Sequence, residues 1–358
     1  MSAERAWSVR DAQPADAERQ AFLFNTCFRK SKDAATFHWK YRDNPHGPAL
    51  GRLACAPDGT AVGGYSYVPR RFRRDGRRVL LMQASDAMTL PEWQGRGIFT
   101  GLDDLVAAEA GAAGVPWAFA YSGRLSLKGF LRNGWRHIGD ARVYRWCFRS
   151  RRALLRLGRL GPLAALSAPL ADVALGWRTA RRLPSGAESV LVRIDRFDDE
   201  ADALFEACVP AVGLIGERDA AWLNWRYVDT PGRRQEAFAL RQAGRLTGWL
   251  VAEFAGGHAF LVDHLAVDEA ARRTLLLAFT ALAGTRAVEE ATALLCDHHP
   301  AVPVLQDLGW AAPSPRRLFR DMFPVIVRAC RPDSPPDDLH LVRWWLADGD
   351  RDAEHMSA

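Results

Sequence analysis

The stretch that decides how this chain is read is Pro91-Glu92-Trp93-Gln94-Gly95-Arg96-Gly97-Ile98-Phe99. On its N-terminal side stand two apolar runs of strand character, Val79-Leu80-Leu81-Met82 and Met88-Thr89-Leu90. On its C-terminal side, Gly101 to Ala113 carries Leu102, Leu105 and Val106 at i, i+3, i+4 spacing, which predicts a helix. A short glycine-bearing turn between strand and helix gathers backbone N–H groups at a helix N-terminus, where phosphates bind.

Outward from that turn, the chain repeats itself. Phe37-His38-Trp39-Lys40-Tyr41-Arg42-Asp43-Asn44-Pro45 recurs as Leu223-Asn224-Trp225-Arg226-Tyr227-Val228-Asp229-Thr230-Pro231, and a glycine follows each proline closely (Gly47, Gly232). Upstream, each copy has a β-like run and then a helix: Trp7 to Arg10 before Asp16 to Phe28, and Ser189 to Ile194 before Asp199 to Val209. Downstream, the first copy has Val62 to Val68 and Val79 to Thr89, with Asp75-Gly76 as a two-residue turn signal. The second has Ala237 to Leu240, Thr247 to Phe254 and Ala259 to Val267. Each copy closes alike, Phe130-Leu131-Arg132-Asn133-Gly134-Trp135 against Leu305-Gln306-Asp307-Leu308-Gly309-Trp310.

The copies part at the decisive place. Where the first has Gln94-Gly95-Arg96-Gly97, the second has Glu269-Ala270-Ala271-Arg272-Arg273. Without glycine, backbone cannot approach a pyrophosphate as closely. The second copy is therefore expected to keep the fold and lack the site. The four segments are 1–148 (first domain), 149–185 (a basic-apolar helical connector), 186–328 (second domain) and 329–358 (a tail).

At 358 residues, with 48% hydrophobic and 25% charged residues, the chain suits two soluble domains. Its net charge of +6 comes almost wholly from arginine, since lysine occurs only at 30, 32, 40 and 128. With the abundance of alanine this reflects a coding bias, so the charge does not argue for nucleic acid. A positive field still favours anionic ligands. The cysteines at 27, 55, 147, 208, 296 and 330 form no CxxC pair, so neither a metal site nor a disulfide framework is expected. Adjacent His298 and His299 rarely chelate one metal and are given none. Met1-Ser2-Ala3-Glu4-Arg5 has an acid and no apolar h-region, and a cytoplasmic protein is expected. The segment from Arg149 to Leu183 reads as helical pieces broken at Pro162 and Pro169. Its longest uncharged run, Leu160 to Ala171, falls short of the roughly 20 residues a bilayer span needs. It is either a connector packed on the domains or a helix resting on anionic lipid through its arginines. Trp344-Trp345-Leu346-Ala347-Asp348 in the tail is expected to pack through its tryptophans.

Gln94-Gly95-Arg96-Gly97-Ile98 resembles the signature turn of the GNAT superfamily of acyl-CoA-dependent acyltransferases, Gln/Arg-x-x-Gly-x-Gly/Ala, with Phe99 where the family has a small residue. The resemblance implies two tandem GNAT-like α/β (α+β) domains, each with a mixed, mostly antiparallel sheet flanked by helices. It implies that Met88, Thr89 and Leu90 offer main-chain groups to the pantetheine of acetyl-CoA or another short acyl-CoA. It further implies that Gln94, Gly95, Arg96, Gly97, Ile98 and Phe99 wrap the pyrophosphate. Acyl transfer to an amine calls for a base, oxyanion donors and an acid for the departing thiolate. The candidates are Asp86 as base, with His38 and Asp43 as further ones, and the main-chain N–H around Thr89 as donor. Relatives use a tyrosine as acid on the helix after the fifth strand, where this chain has Phe130. Tyr121, with Ser122 and Ser126, stands nearby.

The expected activity is N-acyl transfer, in the first instance N-acetyl transfer, from the acyl-CoA to an amine of a small molecule or amino sugar. The alternatives are a CoA-binding scaffold without catalysis, motivated by Phe99 and Phe130, and a membrane-surface acyltransferase acting on a lipid-linked or glycan acceptor. Expected partners are the acyl-CoA and a small acceptor, with no nucleic acid and at most peripheral membrane contact.

Overall fold

The chain folds into two units that no single cut in the sequence separates. The computed structural model describes residues 6–155, 167–312, 321–334 and 339–352. The first unit comprises Met1–Gly139, Asp229–Gly232 and Pro324–His340; the second comprises Asp140–Val228, Arg233–Phe323 and Leu341–Ala358.

The first half of the chain runs β1 (Ser8–Asp11), α1 (Ala17–Phe28), α2 (Ala34–Tyr41), β2 (Leu50–Cys55), β3 (Ala61–Arg74), β4 (Arg77–Thr89), α3 (Ile98–Ala112), β5 (Trp117–Tyr121), α4 (Arg124–Arg132) and β6 (Arg136–Cys147). There follow α5 (Arg151–Leu155), α6 (Ala168–Arg182), β7 (Leu191–Ile194), α7 (Asp199–Cys208), β8 (Leu214–Gly216) and α8 (Ala220–Leu223). The chain then continues through β9 (Gln235–Gln242), β10 (Arg245–Ala255), β11 (His258–Ala266), α9 (Glu269–Thr285), β12 (Glu290–Cys296), α10 (Ala301–Leu308), β13 (Met322–Ala329) and β14 (Trp344–Trp345).

In the first unit the strand order is β1-β2-β3-β4-β5-β13, antiparallel except for the parallel pair β4–β5. The long β3–β4 hairpin closes on Asp75 (φ 48°) and Gly76 (φ 78°), the two left-handed positions that a tight hairpin turn requires. Leu23, Tyr65, Tyr67, Leu102, Val106 and Ile326 are fully or almost fully buried in the core of this unit. In the second unit the order is β6-β12-β11-β10-β9-β7, again antiparallel except for β11–β12. Trp146, Leu275 and Phe279 fill one of its two cores, and Trp222, Trp249 and Trp345 fill the other.

Segment ends at 148 and 328 differ from the unit edges because strands group by pairing rather than by chain order. From Ala141 on, β6 pairs with β12 and counts with the second unit. From Val325 on, β13 pairs with β5 and counts with the first. The expected strand from Ser189 begins only at Leu191, after a short 3-10 turn. The expected connector appears as α5 and α6, with Pro169 in the first turn of α6, where a proline costs no hydrogen bond. The break at Pro162, with Arg156 and Arg159, lies outside the described residues. No helix among those described is long and apolar enough to cross a membrane.

Candidate active site

The site of the first unit begins where β4 leaves β5. Their parallel ladder covers Met82↔Ala118 and Gln83↔Phe119, after which β4 runs on six residues to Thr89. Two features bend it away. First, β4 bulges: Ser85 faces Ser66 and Met88 faces Gly64, so Asp86 and Ala87 stand together opposite Tyr65. Asp86 holds the left-handed backbone this requires (φ 51°), a conformation short polar side chains tolerate. Second, Asp86 is buried and tied from the other side by α2. The ammonium of Lys40 lies 2.9 Å from its carboxylate, and the Tyr41 hydroxyl donates to the same oxygen.

Hydrogen-bond alternation then sets which groups face the gap. Leu90 N–H donates to Val62 at 3.0 Å, making Val62–Leu90 a hydrogen-bonded pair. The neighbouring pair Gly63–Thr89 is therefore a non-bonded one, and the N–H and C=O of Thr89 turn away from β3. The Thr89 N–H is aimed at the thiol of Cys27, on the last turn of α1. Burial pushes that thiol above its ordinary value, and the N–H pulls it back.

The turn follows. Gly95 (φ 77°) and Gly97 (φ 73°) both sit in the left-handed region, with open space where a Cβ would stand. Gly97 is the N-cap of α3 and no side chain caps the helix, so its first N–H groups face outward. In the second unit the corresponding helix, α9, is sealed by its own N-cap, Asp268, which accepts from Ala271 N–H at 2.7 Å. One helix end is open to an anion and the other supplies its own.

A cavity of about 450 Å³ lies along these groups. It is lined by Ala87 and Thr89 of β4, by Trp93, Gln94, Gly95, Gly97, Ile98, Phe99 and Thr100 of the turn and helix, by Cys27 and Phe28, and by Ser126, Gly129 and Phe130 of α4. Phe130 is buried in a closed circuit of five rings. It meets Phe99 at 4.9 Å between centroids and Trp135 at 5.1 Å. Trp135 meets Tyr67 at 6.3 Å, Tyr67 meets Tyr65 at 5.6 Å, and Tyr65 returns to Phe99 at 5.7 Å. Beside the circuit, buried Asp103 accepts from Tyr67, Trp135 Nε1 and Arg328. Phe99 and Phe130, the two departures from the family pattern, are thus neighbours in one apolar wall.

Of the residues singled out in the sequence, Thr89, Gln94, Gly95, Gly97, Ile98 and Phe99 line this cavity together. Met88 and Leu90 are not among the lining residues, and their side chains are buried in the core. The Arg96 guanidinium lies over the Trp93 ring at 4.5 Å, and its carbonyl accepts from Trp7 Nε1 at 3.0 Å, which pins the turn. Asp86 and Tyr121 are not among the lining residues; Tyr121 ends β5, in register with Val325. His38 and Asp43 are exposed, 3.5 Å apart. Cys27 went unnoticed, although a signal was present. Leu23-Phe24-Asn25-Thr26-Cys27 recurs as Leu204-Phe205-Glu206-Ala207-Cys208, and Cys208 Sγ donates to Ala266 O, at the matching strand end, at 3.4 Å.

A family model described as an acetyltransferase (GNAT) domain matches residues 8–138, the part of the chain that carries this site. The whole chain is similar in structure to a conserved protein of unknown function, a probable N-acyltransferase, from Enterococcus faecalis V583. The two are 12% identical, with 90% of this chain and 73% of that one covered and a TM-score of 0.62. It is similar also to a GCN5-related N-acetyltransferase from Anabaena variabilis ATCC 29413 (13% identity, 91% and 73% covered, TM-score 0.62). Saccharomyces cerevisiae N-myristoyltransferase, solved with bound myristoyl-CoA, is similar too (10% identity, 92% and 80% covered, TM-score 0.62). At such identities the likeness is one of fold. No curated protein matches the chain.

Proposed function

We propose that the first unit transfers an acyl group from acetyl-CoA or a related short acyl-CoA to an amine of a small molecule or amino sugar. The observation that carries this reading is the pairing of a Thr89 N–H turned away from β3 with the N-terminus of α3 that no side chain caps, beside one cavity. An acyl-CoA fits it in two ways: its pantetheine is strand-like, and its pyrophosphate is an anion suited to a helix N-terminus. The co-substrate would supply an activated thioester with a thiol leaving group of pKa about 8.5.

The chain's own residues divide the remaining work. Gly95 and Gly97 let the turn close on the pyrophosphate, and the N–H groups of Ile98 and Phe99 bind it. The Thr89 N–H is the oxyanion donor, held in place by the β4 bulge. Asp86 is a positioning residue: with Lys40 and Tyr41 it locks that bulge, and the second unit repeats the lock without the glycine turn, as Tyr227 on Asp263 at 2.8 Å. Phe99 and Phe130 exclude water with an apolar wall. Tyr121 stands outside the cavity lining, so thiolate departure proceeds without a proton from it; the acceptor enters as the free amine, and the proton it sheds on acylation passes to the departing thiolate.

Thiol release measured against a panel of amines tests this function. Steady turnover with any of them supports transfer. Acyl-CoA binding without turnover on any amine would leave the scaffold reading. A membrane-surface version of the activity draws on α6, whose Leu170, Val173 and Trp177 are exposed on one helix face. Flotation with anionic vesicles tests that version; a protein left wholly in the soluble fraction removes it.

A further inference from the structure

The second unit has the same gap, and the chain's own C-terminal segment is in it. The β11–β12 ladder runs from His258↔Glu290 to Leu261↔Ala293 and stops, while β12 continues to Cys296. Beyond that point Leu295 of β12 takes an antiparallel bridge to Ala347. On the β11 side, Arg218 joins the tail to the strand. Its Nε lies 3.1 Å from the Asp263 carboxylate and its terminal nitrogen donates to Asp350 at 2.6 Å, and all three side chains are fully buried. Asp350 turns back to accept from Ala347 N–H at 2.9 Å, and Arg226 holds the carbonyls of Gly349 and Arg351.

The seat is closely fitted at two places. A Cβ on Gly349 would stand 1.9 Å from the Tyr227 hydroxyl and 3.1 Å from the Asp263 Cβ, so only glycine passes. Trp345 packs against His299 at 4.2 Å and lies under Arg272, in the first turn of α9, at 5.5 Å. The tail thus spans from the helix N-terminus, along the free edge of β12, to the Tyr–Asp pair at the strand bulge. Those are the landmarks that frame the open cavity of the first unit.

We propose that Trp344–Asp350 is a built-in peptide ligand of the second unit, occupying the slot that in the first unit is open to acyl-CoA, so that the chain takes a single acyl-CoA. The tail supplies what a ligand strand would: a main-chain bridge to the splayed strand and a carboxylate, Asp350, for the buried Arg218 charge. This assignment rests on the repeated fold and on the contacts of the tail. Only its stoichiometry clause depends on the acyl-CoA reading.

The test is made on the full chain with a protease site inserted after Asp333, cleaved while folded. The fragment carrying Trp344–Asp350 is expected to co-elute with the rest of the chain in native gel filtration and to separate only in denaturant. A second cleaved protein carrying Gly349→Ala is expected to release it. Dissociation of the unmutated fragment under native conditions, or equal retention of both, overturns the proposal. A CoA titration that gives two sites on the intact chain overturns it as well, whereas absence of CoA binding with the fragment retained counts against the acyl-CoA reading alone.

Discussion

The hydroxyl of Tyr41 donates to the buried carboxylate of Asp86. Tyr41 ends the motif Phe37 to Pro45, and Asp86 sits on the β4 bulge 45 residues away. The contact recurs between Tyr227 and Asp263 in the unit whose helix end is sealed. Its persistence there separates the scaffold of this fold from its chemistry.

That separation predicts the behaviour of Lys40. Its ammonium and the Asp86 carboxylate form a buried pair. Removing one member of such a pair typically costs about 3–5 kcal/mol, because the remaining charge stays buried. Lys40→Met should lower stability in urea by about that much, while Asp86→Asn, which keeps the shape, should alter kcat without introducing or removing an inflection in the pH–rate profile. Loss of an acidic limb on Asp86→Asn would make Asp86 a base instead.

Phe130 predicts an absence of effect. Its ring is held by Phe99 and Trp135, and under the proposed function the leaving thiol needs no acid. Phe130→Tyr should change kcat by less than about threefold, under about 0.7 kcal/mol of barrier. A hundredfold gain in a thiol-release assay would show that acid assistance had been limiting.

Gly111 predicts a packing limit. A Cβ there would stand 2.0 Å from the Cys330 carbonyl, where α3 meets the strand that returns to the first unit. Gly111→Ala cannot be relieved by a side-chain rotation, since the obstacle is backbone. Overpacking of this kind costs about 1–3 kcal/mol. A melting curve identical to that of the unchanged protein would contradict this packing.

Much of this was legible in the sequence. Local turns were: Asp75-Gly76 closes the hairpin, and Gln94 to Gly97 is the turn, because φ > 0 restricts both to recognisable residues. The duplication was legible because Trp39/Tyr41 and Trp225/Tyr227 keep their order. What was not legible depends on long-range pairing. Nothing local to Arg136–Cys147 or Met322–Ala329 states which sheet each joins. Burial of Trp344 and Trp345 could be foreseen, but their seat on β8 and the reach of Asp350 to Arg218 could not. The partners of Asp86, Lys40 and Tyr41, could not be foreseen either, because a strand-end carboxylate does not name the side chains that reach it.

Acid should unfold this protein early. Burial holds His46 down to about 2 and His264 to about 3, and holds His299 well below its ordinary value, with Arg70 and Arg71, or Arg272 and Arg218, adding to the effect. Each stays neutral when folded but takes up a proton when unfolded below the ordinary value of 6.5, so stability is full above that pH and falls beneath it. The slope is up to about 1.4 kcal/mol per pH unit for each. Asp348, raised to about 6 by burial, acts oppositely between 3.8 and 6, and burial raises Asp263 as well, but these are two groups against three. The melting temperature should drop steadily from pH 6.5 downward; a flat profile to about pH 5 would contradict the burial of neutral histidines.

The central claim is that the open turn of the first unit binds acyl-CoA. Isothermal titration of the full chain with CoA, repeated with Gly95→Glu, tests it most directly. The Gly95 Cβ position is open, so Glu costs only the left-handed strain at φ 77°, about 1–2 kcal/mol, and the variant should fold and place a carboxylate where the pyrophosphate would bind. The account predicts one site per chain and a loss of at least about a hundredfold in affinity for the variant, about 2.7 kcal/mol. No binding by the unmutated chain, or equal affinity in both proteins, would contradict it.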